Sequence, residues 1–122
     1  MRELVAGGTS GPVVVLDEGL SFWGGFDPLT GRIVDRSHPQ FGRRLTGALV
    51  CMPHGRGSSS SSSVLAESLR LGTGPAGLIL SEPDQILVIG SLVAKMLYDV
   101  SCPIWVADPS EWPSEGEEVR EA

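Results

Sequence analysis

The residues of this chain that are best suited to chemistry lie together in the segment 53–67. Gly55, Arg56 and Gly57 are followed there by six consecutive serines at positions 58–63. Arginine pairs well with a carboxylate or a phosphate, and glycine permits left-handed backbone and a close approach to a ligand. A serine hydroxyl can act as a base once its surroundings favour the alkoxide. The segment therefore predicts an anion-binding loop that carries a candidate reactive serine.

The neighbouring elements indicate how this loop is positioned. The apolar run 48–52 predicts a buried strand, and Val64, Leu65 and Leu69 have the spacing of one helix face. The serines then lie at a helix N-terminus, where they can cap the helix and where the helix dipole attracts an anion. A flexible serine linker is the alternative from composition alone. The shortness of the run and the helical periodicity from Val64 onward favour the folded loop.

The histidines and cysteines do not predict a metal site. They are Cys51, His54, Cys102 and His38, and only the first two are close in sequence. Structural zinc sites usually present two close ligand pairs. Cys51 also lies inside the predicted strand, where a free cysteine is commonly a small buried hydrophobe. Two cysteines are too few for an iron–sulfur cluster. We therefore predict no metal or cofactor in this chain and expect both histidines to order loops.

Length and composition indicate one domain. The chain has 122 residues, of which 41% are hydrophobic, and no apolar stretch approaches the length needed to cross a bilayer. A net charge of −6 argues against binding to a nucleic-acid backbone. The two cysteines are no disulfide framework, and the N-terminus makes a poor signal peptide. We expect a cytoplasmic protein that contacts neither nucleic acid nor membrane.

The apolar runs predict an α/β fold. Strands are expected at Arg2–Val5, 13–16, 21–23, 48–52, Gly77–Leu80 and 103–106, and helices at 64–71 and 86–97. A β-rich N-terminal half is thus followed by a βαβαβ C-terminal half. The segment 24–44 is long and irregular, but its aromatic residues indicate order. We place the domain at 1–108 and expect 109–122 to be an acidic flexible tail, with removal of 111–122 leaving folding unchanged.

Three motifs in this order give the chain a family resemblance. They are Asp27-Pro28-Leu29-Thr30-Gly31-Arg32-Ile33-Val34-Asp35 with His38-Pro39, then Gly55-Arg56-Gly57-Ser58-Ser59-Ser60, then Leu71-Gly72-Thr73-Gly74-Pro75-Ala76. Through them, residues 19–106 resemble the small swivel part of the aconitase X family of dehydratases. The resemblance implies the swivelling β/β/α fold of the aconitase small domain. A chain of this length resembles the form in which the swivel part is a separate subunit.

The same resemblance implies a function and a set of site residues. In the aconitase superfamily a serine removes a proton from carbon, and an iron–sulfur cluster acts as Lewis acid on the leaving hydroxyl. That serine would be Ser58, with Ser59 as second choice. The implied substrate-binding residues are Arg56, Gly57, Ser59 and Ser60. The chain would be the small subunit of a hydro-lyase, and a large partner subunit would hold the iron–sulfur cluster. The substrate would be a small hydroxy acid such as mevalonate 5-phosphate or cis-3-hydroxy-L-proline.

Two other functions remain compatible with the residues. A non-catalytic anion-binding or regulatory module would use the same loop for a phosphate, and a structural domain would use the serines as a linker. The order of Arg56 and the following Gly57-Ser58-Ser59 favours the enzyme subunit, because a simple anion site does not require it. The serines at 61–63 are expected to be helix caps. The interface with the large subunit is expected near Trp23, Phe26 and the loop.

Overall fold

In a computed structural model, the chain is described over residues 1–56 and 58–121. The described residues form ten strands: β1 (Arg2–Val5), β2 (Thr9–Val15), β3 (Leu20–Ser21), β4 (Phe26–Asp27), β5 (Arg32–Ile33), β6 (Leu49–Met52), β7 (Gly55–Arg56), β8 (Gly77–Leu80), β9 (Ile104–Val106) and β10 (Glu118–Glu121). They also form three α-helices: α1 (Phe22–Gly25), α2 (Ser61–Leu71) and α3 (Gln85–Tyr98). None of these described helices is long and apolar enough to span a bilayer.

Six of the described strands form one mixed sheet in the order β1-β9-β8-β6-β2-β10. The inner strands β2, β6, β8 and β9 run parallel, and β1 and β10 pair antiparallel at the two edges. The βαβαβ prediction is confirmed, because α2 connects β6 to β8 and α3 connects β8 to β9. Since parallel neighbours need crossover connections, both helices start at the edge where the parallel strands end.

The two long helices cover one face of the sheet. Side chains alternate between the faces of a strand, so Val50 and Met52 of β6 point to the same side. They belong to the core cluster that contains Leu65 of α2 and Leu87 of α3, and all four side chains are at most 1% exposed. Truncating one such buried leucine to alanine typically costs about 2–5 kcal/mol. This packing fixes α2, and with it the serines at its start, to the sheet.

The C-terminal segment covers the opposite face, where the sequence predicted a solvated tail. Trp112 and Val119 pack against the buried cluster of this face, which includes Leu49. Strand β10 pairs with β2, so the sheet extends past the predicted domain boundary at 108. The expectation that 109–122 lacks regular structure is therefore corrected for its described residues. Trp112 and Val119 hold the segment in place although many glutamates surround them, because they cover an apolar face of the sheet.

Two strand predictions near the N-terminus also need correction. Strand β2 begins at Thr9, ahead of the predicted start at 13, because residues 9–12 pair with β10. Of the predicted strand 21–23, only Ser21 belongs to a strand, since β3 ends there. Phe22 starts α1, a single irregular turn in which Gly24 has a φ of 84°. The remaining predicted strands and both predicted helices are present within a few residues of the expected bounds.

Two of the family motifs build the scaffold around the long segment 24–44. The hydroxyl of Thr73 donates to the carbonyl oxygen of Pro28 at 2.5 Å, and the hydroxyl of Thr46 donates to the carbonyl oxygen of Thr73 at 2.7 Å. Gly31 has a φ of 76°, and a Cβ there would collide with the Thr46 hydroxyl. These contacts tie the earlier and later motifs together, so their role is to order the segment.

The structure predicts that Trp112→Ala destabilises the protein by about 2 kcal/mol, less than for a fully buried tryptophan because the ring is half-buried. The cause is the loss of the cover over the second sheet face, and urea unfolding measures it. Removal of residues 111–122 should cost more than the single substitution, in contrast to the sequence-based expectation. The matched control is Trp23→Ala, since that side chain is 59% exposed and its loss should change stability by at most about 0.5 kcal/mol. Equal effects of the two substitutions would contradict a covering role of the C-terminal segment.

Candidate functional site

The glycine–serine loop lies at the edge of the sheet where the parallel strands end. Strand β6 ends at Met52, Pro53 and His54 follow, and β7 then pairs in parallel with β3. Helix α2 begins at Ser61. The predicted connection from strand to helix is therefore present. The short β3–β7 pairing within it had no signal in the sequence, because two-residue strands show no periodicity.

The serines of the loop differ in what they contact. Ser58, Ser59 and Ser60 are exposed, whereas Ser61 is only 2% exposed. The Ser58 hydroxyl oxygen accepts the backbone N–H of Ser60 at 3.3 Å. The Ser61 hydroxyl oxygen accepts the backbone N–H of Trp23 at 3.1 Å, which ties the start of α2 to α1. The site candidates are thus accessible, and the buried serine is structural.

The start of α2 differs from the capping pattern expected from the sequence. Ser60 is the N-cap residue, but its side chain makes no capping hydrogen bond. The amides of residues 61–63 instead donate to the carbonyl oxygens of residues 58–60 at 3.0–3.2 Å. This tightened turn satisfies the first amides of the helix. An anion at this helix end therefore meets the turn 58–60 and its side chains, not the amides of α2 itself.

Arg56 faces carboxylates on neighbouring segments. Its Nη1 atom lies 3.6 Å from Oε1 of Glu18, and both side chains are 53% exposed. Hydrogen bonds from the hydroxyl and amide of Ser37 hold the pKa of Asp35 below its usual value, and the charge of Arg56 adds to this shift. The positive charge of Arg56 is thus partly offset before any ligand binds.

An open cleft of about 390 Å³ lies beside this ion pair. Its lining residues are Asp17, Glu18, Gly19, Pro53, His54 and Arg56. Gly19 is required by close packing, because a Cβ there would collide with the carbonyl oxygen of His54 and press on Cγ of Arg56. The cleft therefore combines one arginine with two carboxylate side chains.

His38 supports the cleft from the interior of the protein. The side chain is 5% exposed, and its Nδ1 accepts the backbone N–H of Gln40 at 3.0 Å. Its Nε2 therefore carries the hydrogen that it donates to the carbonyl oxygen of Glu18 at 3.2 Å. The side-chain amide of Gln40 bonds both the backbone N–H and the carboxylate of Asp17, at 3.1 and 2.8 Å. These bonds agree with the expectation that His38 orders a loop.

Gly55 is held against the start of α3. A Cβ at this position would collide with Oδ2 of Asp84, whose Oδ1 accepts the backbone N–H of Leu87 at 3.1 Å. The close approach at Gly55 is to a helix cap, whereas the sequence predicted an approach to a ligand, and the residue lacks the left-handed φ that was expected. Gly57, the other glycine of the motif, lies outside the described residues.

The two cysteines are placed as core residues. Burial raises the pKa of the Cys51 thiol to about 12, with a smaller contribution from the charge of Glu115, and burial raises the pKa of Cys102 to about 12 as well. The two thiols belong to separate clusters on opposite faces of the sheet. A protonated thiol is a poor metal ligand. Within residues 1–56 and 58–121, no group of three or more potential ligands is placed to hold a metal ion. These residues do not fit an iron–sulfur cluster.

The aromatic residues predicted at the surface near the loop differ in exposure. Trp23 is 59% exposed, as an interface residue should be. Phe26 is only 3% exposed and packs against Phe22 with a ring separation of 5.0 Å, so its assignment to the surface is wrong. A single phenylalanine outside a periodic apolar pattern gives no indication in the sequence of whether it lies in the core or at the surface.

Sequence reasoning also missed two acidic residues beside the loop. Asp84 had a usable signal, because an aspartate directly before an apolar helical stripe is typical of an N-cap. Glu18 had none, since its approach to Arg56 depends on the pairing of β3 with β7.

Comparison with known proteins gives a consistent result. The sequence profile of the aconitase X swivel domain matches residues 1–120. The chain is 50% identical to cis-3-hydroxy-L-proline dehydratase of Pseudomonas aeruginosa over 103 residues, which are 84% of this chain and 18% of that protein. It is 47% identical to the phosphomevalonate dehydratase small subunit of Methanopyrus kandleri over 84 residues, 69% of this chain and 62% of that protein. The chain thus spans less than two thirds of either relative.

A solved structure supports the fold over nearly the whole chain. The holo-form of Thermococcus kodakaraensis aconitase X superposes with a TM-score of 0.85 at 28% identity. The superposition covers 98% of this chain and 86% of that chain.

The close approach at Gly55 predicts that Gly55→Ala destabilises the protein by about 1–3 kcal/mol, because the added methyl group must displace Asp84 or Leu87. Urea unfolding measures the change. Gly25→Ala is the matched control, since a Cβ there would meet its neighbours at 3.5 Å or more and the backbone φ is not positive. An unchanged free energy of unfolding in Gly55→Ala would show that β7 and α3 can move apart without loss of stability.

Proposed function

Because the chain belongs to the aconitase X swivel-domain family, we propose that it is the small subunit of a hydro-lyase whose active site it shares with a larger subunit. The reaction is the removal of water from a small hydroxy acid. Mevalonate 5-phosphate and cis-3-hydroxy-L-proline are the candidate substrates, since the similar proteins are named for these dehydrations. The complex would work in the cytoplasm.

The position of Ser58 is the observation that carries this proposal. Its hydroxyl oxygen is exposed and accepts the backbone N–H of Ser60 at the start of α2. The dipole of α2 favours negative charge at this end, and Arg56 adds a positive charge two residues earlier. All three effects favour the alkoxide over the hydroxyl, and the alkoxide is the form that can accept a proton from carbon.

In the proposed step, the alkoxide of Ser58 takes a proton from the carbon next to the hydroxyl-bearing carbon. The electron pair of the broken C–H bond forms the carbon–carbon double bond. The C–O bond breaks with its electron pair on oxygen, which gains a proton from an acid of the large subunit and leaves as water. Arg56 binds the carboxylate or phosphate of the substrate, together with Gly57, Ser59 and Ser60.

The large subunit is also the proposed location of the iron–sulfur cluster that the family resemblance implies. The described residues of this chain offer two buried, protonated thiols and no grouped ligands. In the Pseudomonas aeruginosa relative, the region similar to this chain is 18% of the protein, which leaves a much larger remainder. A large subunit equivalent to that remainder would supply the cluster and the acid.

Exposed apolar side chains support the proposal of a partner. Trp23 is 59% exposed, and the hydrogen bond of its backbone to Ser61 holds it beside the serine loop. Tryptophan is among the residues that contribute most to protein–protein binding. The outer side of α3 also exposes Ile89, Leu92 and Met96, at the spacing of one helix face. Contiguous exposed apolar residues are typical of interaction surfaces.

The catalytic proposal is tested by Ser58→Ala in the complex of this chain with its large subunit. The substitution removes the proton acceptor but keeps Arg56 and the helix dipole. We expect kcat to fall by about 10²–10⁴-fold. The free energy of unfolding should change by about 1 kcal/mol or less, as for the loss of a cap. Steady-state dehydration of mevalonate 5-phosphate and of cis-3-hydroxy-L-proline measures the effect.

Two serine variants serve as controls. The Ser62 hydroxyl donates to the carbonyl oxygen of Ser59 at 2.8 Å, so Ser62→Ala should leave kcat nearly unchanged. Ser59→Ala tests the second candidate base. Loss of activity in Ser59→Ala with full activity in Ser58→Ala would move the role by one residue. Full activity in both would contradict a serine base in this loop.

The assembly is tested by Trp23→Ala, which should weaken binding to the large subunit by about 30-fold, the effect of losing roughly 2 kcal/mol at an interface. Titration calorimetry of the two separately purified subunits measures the Kd. Met96→Ala tests the exposed face of α3 as the alternative docking surface, because this side chain is 82% exposed there. If only the Met96 variant lost affinity, the large subunit would dock on α3 and not beside the loop.

A further inference from the structure

Glu18 carries the carboxylate that pairs with Arg56, and hydrogen bonds hold the backbone around it. Its backbone carbonyl oxygen accepts the Nε2 hydrogen of the buried His38, and the preceding Asp17 is held at two points by Gln40. On the other side, β3 and β7 pair in parallel, with Ser21 opposite Arg56. The stem of Arg56 packs on Gly19. The fold therefore holds the backbone of Glu18 and the stem of Arg56 next to each other at the border of the cleft.

The contact itself is loose. Nη1 of Arg56 and Oε1 of Glu18 are 3.6 Å apart, beyond the 2.7–2.9 Å of a charge-assisted hydrogen bond, and both side chains are 53% exposed. The surface pair of Arg70 and Glu67 differs, because the guanidinium bonds both carboxylate oxygens there, at 2.5 and 3.1 Å. Glu18 thus lies close enough to attract Arg56 but does not hold it in a bidentate clamp.

Resting on the proposed role of Arg56 in substrate binding, we propose that Glu18 is a positioning residue that competes with the anionic group of the substrate for Arg56. In the free protein the carboxylate of Glu18 attracts the guanidinium. A bound carboxylate or phosphate replaces the glutamate, because it can accept two parallel hydrogen bonds that the 3.6 Å contact lacks. The affinity of the site for anions is lowered, because the attraction between Arg56 and Glu18 must be broken before the anion binds.

The neighbouring carboxylate does not take over this role. Oδ1 of Asp35 already accepts two hydrogen bonds from Ser37, from the amide at 2.9 Å and the hydroxyl at 2.7 Å. Asp35 influences Arg56 through its charge, but no hydrogen bond or ion pair between the two is recorded among the described residues. Competition at the guanidinium therefore comes from Glu18.

The test is Glu18→Gln in the assembled complex, assayed with both candidate substrates. An exposed ion pair contributes at most about 1 kcal/mol, so KM should fall by about two- to fivefold. Because the change affects ground state and transition state alike, kcat should stay within about twofold. The control is Glu67→Gln, which removes a Glu–Arg pair on α2 away from the cleft and should leave both parameters unchanged. Two results for Glu18→Gln would overturn the proposal. An unchanged KM would show that Glu18 has no effect on Arg56, and a raised KM would show that Glu18 is needed to orient it.

A second measurement separates this inference from the proposed function. Inorganic phosphate is titrated into the full chain while the Nε–Hε signal of Arg56 is followed by NMR. The apparent Kd should be about two- to fivefold lower in Glu18→Gln than in the wild type. The Nε–Hε signal of Arg70, which pairs with Glu67 on α2, should not respond. Full dehydratase activity in Ser58→Ala together with this phosphate shift would refute the serine mechanism but keep the competition. Equal phosphate affinities in wild type and Glu18→Gln would refute the competition, whatever the result for Ser58.

Discussion

The packing of α2 against the sheet is the interaction on which the site depends. Leu65 and Leu69 are buried on one side of this helix, among the apolar side chains of the parallel strands. With the helix fixed in this way, its first turn must emerge at the edge where those strands end. The exposed serines are therefore placed by contacts that lie well away from them. A site built on a fixed helix end keeps its geometry although the loop before it is short and polar.

A second layer of contacts positions the residues around the serines. The β3–β7 pair brings the Glu18 segment next to Arg56, and Gly55 closes on the cap of α3. Both contacts require glycine, at positions 19 and 55, because a side chain would collide with the opposing segment. Glycine in these places serves close packing between segments. The conformational freedom usually associated with glycine in ligand-binding loops is not what these two positions need.

The sequence predicted most of the central sheet and less of what surrounds the site. Strands β6 and β8 are wholly apolar runs between glycine and proline signals, so their position was readable from local pattern. Helix α3 was likewise readable from the apolar stripe over 86–97. Strand β10 and Trp112 were missed because their stability comes from a partner surface formed by distant residues, and the acidic composition around them indicated solvent. The ion pair beside the loop was missed for the same reason, since no local pattern specifies which distant segments will pair.

The two buried thiols have a consequence for how the motions of this fold can be followed. Cys51 lies under the C-terminal segment and Cys102 lies on the helix side, and each is at most 1% exposed. A thiol reacts with an alkylating reagent only after local opening exposes it and allows it to ionise. The rate of modification at Cys51 therefore reports opening of the C-terminal segment, and the rate at Cys102 reports opening of the helical layer. The unmodified chain thus contains one natural probe of local opening on each face of the sheet.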